Sequence, residues 1–176
     1  MGARIQHAWD LTPAEARSVQ EDLRNRVVLK DSRRAVHRVA GCDVGFENNR
    51  QTARGAFAVL AADTLELVDS AVCRRPAEFP YVPGLLSFRE IPVLLDTLDA
   101  LETRPDLILC DGQGTAHPRR FGLACHIGVL TDIPTIGVAK SRLIGRFVEP
   151  APERGSASPL HDKGEIIGAV VRSKAN

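Results

Sequence analysis

A continuous apolar run, Leu107 to Cys110, is the feature that most constrains the fold. An apolar segment without alternation is typical of a strand buried on both faces, as in a sheet covered by helices. Three segments with strand-like patterns precede it, at Val39 to Phe46, Ala53 to Ala62 and Leu65 to Cys73. The last two are joined by three residues, which is short enough for a hairpin, so we predict an antiparallel meander.

The order of the later elements predicts an α/β protein with a mixed sheet flanked by helices. A helix around Phe121 to Leu130 and a short strand from Thr135 to Val138 follow the apolar run. A final strand is expected from Ile166 to Val171. We expect residues 149–164, with three prolines and two glycines, to form a loop without regular structure.

Two further helices are predicted earlier in the chain. Thr12 and Glu15 form a capping box, with Pro13 at the first helical position. A one-sided apolar stripe follows, at Ala16, Val19, Leu23 and Val27. The other helix contains an apolar segment between residues 93 and 101, and we expect its regular part to begin near Pro92, because proline breaks a helix interior.

Composition restricts the class of protein. The chain has 176 residues, which fits one domain spanning 1–176. With 44% hydrophobic and 26% charged residues it can bury a core, which argues against global disorder. No apolar stretch approaches the roughly 18 residues of a membrane span, and residues 1–7 lack the apolar core of a secretory signal. The net charge of +1 predicts neither a nucleic-acid partner nor its absence.

The cysteines indicate a reducing compartment. Cys42, Cys73, Cys110 and Cys125 show none of the paired spacings of zinc sites. Two of them lie in apolar runs, where a free cysteine behaves as a small buried hydrophobe. We therefore expect a cytoplasmic protein without disulfides or structural zinc.

Two acidic residues share a setting that suggests a functional site. Asp43 and Asp111 each follow a cysteine in a strand-like run, and each has a glycine within two residues. Strand alternation places Asp43 on the same face as Gly41 and Gly45, which leaves room for another group near the backbone. Such a carboxylate needs a partner. A divalent cation with oxygen ligands is one candidate, and a turn or a nearby arginine is the other.

The surroundings of these acids favour an active site. Glu90 opens the helix between the two strands and is a candidate third acid. Residues 112–120, directly after Asp111, are glycine-rich, polar and basic, and they lead into a helix. A loop of this kind presents backbone N–H groups and a helix N-terminus to an anion or a base edge.

Four segments, taken in order, resemble the endonuclease V family, repair nucleases that act on deaminated adenine (hypoxanthine, as inosine). The segments are Val39–Val44, Pro80–Glu90, Asp111–Arg119 and Gly137–Ser141. The likeness covers nearly the whole chain from Leu11 onwards, and the second and third segments are long and specific. It implies a ribonuclease H-like fold, in which acids from different strands meet at one edge of a mixed sheet.

The resemblance also implies a reaction. The family hydrolyses DNA that contains deoxyinosine in the presence of Mg²⁺, with Mn²⁺ as an alternative ion, and RNA substrates also occur. Cleavage is expected at the second phosphodiester bond 3′ of the lesion, leaving a 3′-hydroxyl and a 5′-phosphate. By position, Asp43 and Asp111 are the expected metal ligands and Glu90 is the further catalytic acid.

Further roles follow from the same resemblance. Lys140 is expected to contact the scissile phosphate, and His117 a phosphate or a metal-bound water. Arg119, with the neighbouring Arg120 and with Arg89, is expected to bind backbone phosphates, which positions the strand without reading its sequence.

The expected wedge is Tyr81, held in a stiff loop between Pro80 and Pro83. Its ring would fill the gap that a flipped base leaves in the stack. The backbone around three glycines is expected to line the base pocket, where an N–H group recognises the hypoxanthine carbonyl. These glycines are Gly112, Gly114 and Gly137.

The chain departs from the family after its last strand. Members continue into a Pro-Gly-His segment and a final helix that adds a metal ligand, and nothing up to Asn176 matches that segment. An alternative function is therefore a protein that binds deaminated bases but cuts slowly or not at all. A third hypothesis is another ribonuclease H-like nuclease, such as a junction resolvase, although such a protein has no counterpart of the Pro80–Gly84 loop.

Overall fold

The fold is a mixed sheet with helices on one face and a separate hairpin. A computed structural model describes residues 7–31 and 35–174. The five-stranded sheet contains β1 (Arg38–Glu47), β2 (Thr52–Ala61), β3 (Leu67–Pro76), β4 (Leu107–Cys110) and β5 (Thr135–Gly137). The helices are α1 (Pro13–Leu23), α2 (Leu86–Asp99) and α3 (Leu123–Thr131), and the hairpin contains β6 (Ala157–Asp162) and β7 (Glu165–Val171). Residues 1–6, on which the predicted lack of a secretory signal mostly depends, lie outside the described residues.

The sheet confirms the predicted meander and the predicted parallel strands. Its order is β3-β2-β1-β4-β5, and β2 pairs antiparallel with both β1 and β3. β4 pairs in parallel with both β1 and β5. The apolar run from Leu107 to Cys110 is therefore a central strand, between β1 and β5. Its expected burial on both faces is wrong, because Ile108 and Cys110 are buried under the helices whereas Leu107 and Leu109 on the other face are only partly buried.

The main core lies between the sheet and helices α2 and α3. It contains Phe57 and Val59 of the meander, Ile108 of β4, Leu94 of α2 and Ile127 of α3, all fully or almost fully buried. Both helices thus cover the same face of the sheet. Asp43 belongs to the opposite face, since its neighbours Cys42 and Val44 pack into this core.

The first helix begins as the capping box predicts. The Thr12 hydroxyl accepts a hydrogen bond from the Glu15 N–H, and the Glu15 carboxylate accepts one from the Thr12 N–H. The helix ends at Leu23 and a short 3-10 turn continues to Arg26, so Val27 lies outside it. Its buried positions are Ala16, Gln20 and Leu23. A glutamine therefore occupies the centre of the buried stripe.

Helix α2 begins earlier than predicted. It starts at Leu86 and runs through Pro92, so the expected start near Pro92 is wrong. Burial of Phe88, Ile91 and Leu94 on both sides of the proline offsets the lost backbone hydrogen bond. The early start matters because it places Glu90 inside the helix, on its buried side.

The prediction for residues 149–164 is partly wrong. Residues 157–162 form β6, which pairs with β7 instead of leaving β7 as a strand of the main sheet. Pro159 is tolerated because both strands of a two-stranded sheet are edges. The turn at Lys163 and Gly164 has positive φ at both residues, as the tight hairpin turn requires. The hairpin packs on Ala116 through Leu160 and Ile167.

No helix within the described residues is long and apolar enough to span a bilayer.

The sheet face opposite α2 and α3 leaves Val72, Ile136 and Val138 exposed.

His126 is a structural residue, as its place on an apolar helix predicts. The ring is fully buried on α3. Its Nδ1 lies 3.0 Å from the Ser87 hydroxyl and its Nε2 lies 2.8 Å from Nε2 of His7. Burial, followed by the neighbouring His7, holds the pKa of His126 well below the ordinary value.

Acidification is therefore expected to destabilise the fold through His126. Below the ordinary histidine pKa of about 6.5, the unfolded chain takes up a proton that the buried ring excludes. The free energy of unfolding therefore decreases as the pH is lowered. Between pH 7.5 and 5, the melting temperature of the wild type should drop by at least about 2 °C more than that of His126→Gln. Parallel pH profiles for these two proteins would contradict this assignment, and His161→Gln, at an exposed position, is the control that should follow the wild type.

Candidate active site

Strand register brings Asp43 and Asp111 together. Cys42 of β1 pairs with Cys110 of β4, and the Asp111 N–H donates to the Cys42 carbonyl at 3.1 Å. The two aspartates, one residue further along each strand, are therefore neighbours. Asp43 lies in the middle of the long strand β1, at the point where the shorter β4 ends. Beside it, a side chain at Gly41 would meet nothing within 4 Å, so the predicted open space next to this carboxylate is present.

Glu90 lies close enough to both aspartates to interact with them. Its side chain is 8% exposed on helix α2. Burial, followed by the negative charges of Asp43 and Asp111, raises the pKa of Glu90 to about 8. Three carboxyl groups from β1, α2 and the end of β4 thus form one acidic cluster, which we call the acid cluster.

Lys140 supplies positive charge to the acid cluster. Its Nζ lies 2.5 Å from Oδ2 of Asp111, although the side chain is 83% exposed. This hydrogen bond and the charges of Asp111 and Asp43 raise the pKa of Lys140. An exposed ion pair of this kind contributes little to stability. A ligand phosphate can therefore compete for the ammonium group at small cost.

The three glycines expected at the base pocket are in close backbone contact with one another. A Cβ atom on Gly137 would lie 2.5 Å from the Gly114 nitrogen and 2.6 Å from the Gly112 oxygen. On the other side of this segment, the Gly122 N–H at the start of α3 donates to the Gly114 carbonyl at 2.9 Å. Residues 112–114 are thus fixed between β5 and the N-terminus of α3, next to Asp111.

The Tyr81 ring is presented to solvent by a firmly packed loop. It is 65% exposed, and Pro80 and Pro83 on either side of it are exposed as well. The intervening Val82 packs against the buried side chains of Phe79 and Leu85. The tyrosine ring is therefore accessible to a ligand, and its role as a wedge stays a prediction.

His117 lies against the loop from Pro80 to Gly84, which we call the tyrosine loop. The ring is almost fully buried, its Nδ1 accepts from the Arg119 N–H, and its Nε2 donates to the Gly84 carbonyl at 3.0 Å. Burial, followed by the charge of Arg119, lowers the pKa of His117 to about 4. The expected contact of His117 with a phosphate or a metal-bound water stays a prediction that this geometry does not support.

The three arginines expected to bind phosphates are all engaged by protein groups. Arg119 binds the Gln20 side chain and the Gly84 carbonyl. Arg120 forms ion pairs with Asp162 and Glu165 of the hairpin. Arg89 donates to the carbonyls of residues 79 and 50 and lies over the Phe46 ring. Their phosphate contacts remain predictions.

Gln20 of α1 contacts the candidate site, although the interpretation of this helix from its apolar stripe did not predict it. The signal is present in the apolar stripe, where Gln20 stands between Ala16 and Leu23 at helical spacing. A polar residue at such a buried position needs hydrogen-bond partners, and these lie in the loops of the candidate site.

Comparison with known proteins decides the family. The endonuclease V family model matches residues 21–176. The chain belongs to the endonuclease V family. It is therefore a member of a family of nucleases, and the resemblance found in the four sequence segments is confirmed.

Individual endonuclease V relatives agree over most of the chain. The protein of Trichormus variabilis is 54% identical over 169 residues, which cover 96% of this chain and 76% of the relative. The crystal structure of endonuclease V from Streptomyces avermitilis superposes with a TM-score of 0.90 at 47% identity, covering 99% of this chain and 78% of that chain. Such neighbours have the ribonuclease H-like fold, which confirms the expected fold class.

Some of the similar endonuclease V structures contain nucleic acid. The Ciona intestinalis protein, as its D234N variant, is in complex with a 23mer DNA containing an inosine followed by a ribo-adenosine. Its TM-score is 0.69 at 35% identity, covering 77% of this chain and 61% of that chain.

The donor set of the acid cluster fits the divalent cation that the endonuclease V family implies. Its side chains offer only carboxylate oxygens, the ligands that Mg²⁺ prefers. After burial, the negative charges of Asp43 and Asp111 contribute to the raised pKa of Glu90, and a bound cation would offset them together with Lys140 beside Asp111. Among the described residues, no group of three or more acidic, histidine or cysteine side chains is placed so that it could hold a metal ion. Mg²⁺ does not need one, because it commonly binds through one or two carboxylates and completes its shell with water and substrate phosphate.

In a chelating buffer, Glu90→Gln is expected to stabilise the protein. Burial and the neighbouring carboxylates raise the pKa of Glu90 from its ordinary value to about 8, so the native state holds a proton that the unfolded chain releases in this range. The free energy of unfolding therefore falls as the pH rises from about 4.5 to 8. At pH 8 we expect Glu90→Gln to melt about 3 °C or more above the wild type, with a smaller gain at pH 5.

Thermal unfolding in EDTA at both pH values measures this effect. Glu102→Gln, at an exposed position, is the matched control and should follow the wild type. An equal melting temperature for wild type and Glu90→Gln at pH 8 would show that Glu90 is not held in an unfavourable acidic environment.

Proposed function

We propose that this chain is a metal-dependent endonuclease that recognises a deaminated base, hypoxanthine in particular, and hydrolyses the second phosphodiester bond on its 3′ side. The observation that carries the proposal is that Asp43, Glu90 and Asp111, from three different elements, come together where β4 ends beside the middle of β1. Three carboxyl groups held together at the cost of mutual repulsion are typical of a site that uses this charge.

The acid cluster is the proposed catalytic centre. Asp43 and Asp111 would hold the cation, Mg²⁺ or alternatively Mn²⁺, and Glu90 supplies the third carboxyl group of the same site. A bound cation of this kind lowers the pKa of a water ligand and neutralises charge on a phosphate. The products are a 3′-hydroxyl and a 5′-phosphate.

Lys140 is the proposed contact of the scissile phosphate. Its ammonium group reaches the acid cluster on an exposed side chain, and among the described residues its ion-pair partner is Asp111. A phosphate that arrives between the carboxylates can therefore accept hydrogen bonds from Lys140 and share its charge.

Recognition of the base is assigned to the tyrosine loop and to residues 112–114, which we call the glycine segment. The exposed ring of Tyr81 is available to stack where a base has been extruded, and the backbone of residues 112–114 lies next to Asp111. Base and scissile phosphate are then bound by adjacent parts of one surface. The inosine-containing DNA bound by the Ciona intestinalis relative supports this substrate class.

The proposal predicts that Asp43→Asn abolishes inosine-dependent nicking. The substitution keeps the volume of the side chain but removes one negative charge from the acid cluster, and loss of one preorganised catalytic group costs about a hundredfold or more. The assay is cleavage of a labelled duplex with a single inosine, in Mg²⁺ and in EDTA. The wild type should cut one bond beyond the lesion in Mg²⁺ alone, while Asp132→Asn, at an exposed position where asparagine also tolerates the left-handed backbone, should retain full activity.

A gel shift with the same duplex tests the alternative function. Inosine-selective binding by the wild type without any cleavage in Mg²⁺ or Mn²⁺ would support a binding protein instead of a nuclease. Neither binding nor cleavage by a folded sample would contradict the proposed substrate class. A parallel duplex with a ribonucleotide 3′ of the inosine compares DNA with RNA-like substrates.

A further inference from the structure

The carbonyl oxygen of Gly84, at the end of the tyrosine loop, accepts hydrogen bonds from three side chains. Nη2 of Arg119 donates at 2.8 Å, Nε2 of His117 at 3.0 Å and Nε2 of Gln20 at 3.1 Å. Such convergence on one carbonyl is uncommon, since most backbone oxygens accept one or two hydrogen bonds. We call these three residues the Gly84 clamp.

The members of the Gly84 clamp are also connected to one another. Oε1 of Gln20 accepts from Nε of Arg119 at 2.6 Å, and Nε2 of Gln20 donates a second time to the Phe121 carbonyl at 3.2 Å. Gln20 thus uses its amide fully while being only 1% exposed. His117 accepts at Nδ1 from the Arg119 N–H, which fixes the proton on Nε2, towards Gly84. The network has no adjustable member.

Gly84 itself is adapted to this contact. Its φ of +78° is in the region that favours glycine, and a Cβ atom would lie 3.0 Å from Nη2 of Arg119. Any other residue at this position would therefore strain the backbone and displace the clamp.

The opposite end of the tyrosine loop is held in a similar way. Nη1 of Arg89 donates to the Phe79 carbonyl at 2.5 Å, directly before Pro80. Phe79 and Leu85 are buried at the two ends of the loop. Between these fixed ends only the exposed residues around Tyr81 project into solvent.

We propose that Gln20, His117 and Arg119 are positioning residues that hold the Gly84 carbonyl, and with it the Tyr81 ring, in register with the segment that follows Asp111 of the acid cluster. The inference rests on the proposed function, because it assigns the clamp to the recognition of the extruded base. Gln20 comes from α1, whereas His117 and Arg119 come from the segment that starts at Asp111. The clamp therefore joins the tyrosine loop to the chain that bears a catalytic carboxylate.

The physical benefit is preorganisation. A wedge that is already oriented loses little conformational freedom when it replaces a base, so more of its stacking energy is available for extrusion. The distance between wedge and acid cluster also determines which phosphate is presented for hydrolysis. Loosening the clamp should therefore reduce both the stacking of Tyr81 and the rate of cleavage.

Gln20→Met tests the clamp at a residue that is too deeply buried to touch DNA. It removes three hydrogen bonds at nearly constant side-chain volume. The matched control is Leu23→Ala, which weakens the packing of the same helix without contacting Gly84. Tyr81 is the single tyrosine of the chain, so labelling with 3-fluorotyrosine gives one ¹⁹F resonance that reports on this ring alone. In the absence of DNA, we expect this resonance to shift or broaden in Gln20→Met and to stay as in the wild type in Leu23→Ala.

Cleavage of the inosine duplex provides a second readout. Since stacking of a base on an aromatic ring contributes substantially to binding, we expect Gln20→Met to lower kcat/KM by about tenfold. In a Tyr81→Ala background the same substitution should lower it by less than about twofold, because the group that it positions is gone. A merely destabilising effect would reduce activity equally in both backgrounds.

The outcomes separate the two proposals. An unchanged ¹⁹F resonance in Gln20→Met, or an equal loss of kcat/KM in both backgrounds, overturns the positioning role. A wild type that neither binds nor cuts inosine DNA overturns the proposed function, and the role in base extrusion falls with it. The ¹⁹F spectra need no DNA, so they still show in that case whether the clamp orients Tyr81.

Discussion

The parallel pairing of β1 with β4 is the constraint on which the site depends. Pairing of Cys42 with Cys110 places both thiols in the core and puts the next residue of each chain segment side by side where β4 ends. Both next residues are aspartates. Two carboxylates on neighbouring strands repel each other, and Glu90 adds a third group from α2. The packing of α2 and α3 on the sheet must supply the stability that holds these groups together, since none of the three gains from the others.

The same arrangement explains why the site suits a cation and a phosphate. Lys140 balances one charge only, through an exposed ion pair that a ligand can replace. The residues next to Asp111 have little freedom, because the glycine segment is fixed between β5 and the start of α3. Charge, accessibility and rigidity therefore coincide at one edge of the sheet, while the tyrosine loop is attached to that edge through Gly84.

Much of this could be predicted from local patterns. The capping box at Thr12, the meander and the apolar run of β4 are short-range signals, and each formed as expected. The start of α2 and the strand β6 were missed, because Pro92 and Pro159 were given their usual weight while burial and edge position offset their cost. The two-residue turn at Lys163 and Gly164, between two strand-like segments, could have predicted the hairpin of β6 and β7.

The acidic residues of the site could be predicted from the sequence, but the hydrogen bonds around Gly84 could not. Asp43, Glu90 and Asp111 carry their setting in the sequence around them, so their convergence was expected. The Arg119 side chain is held by Gln20, which is about a hundred residues away, and His117 is held by Gly84, 33 residues away. Long-range hydrogen bonds of this kind leave only an indirect trace in one sequence, a polar residue within an apolar stripe.

The most direct test of the account is the position of a bound metal ion. Crystals soaked in millimolar Mn²⁺ would locate the ion by its anomalous scattering. The account predicts a peak coordinated by the carboxylates of Asp43 and Asp111. With these side chains ordered, the absence of a peak there, or binding at a different part of the surface, would contradict the claim that the acid cluster is the catalytic centre.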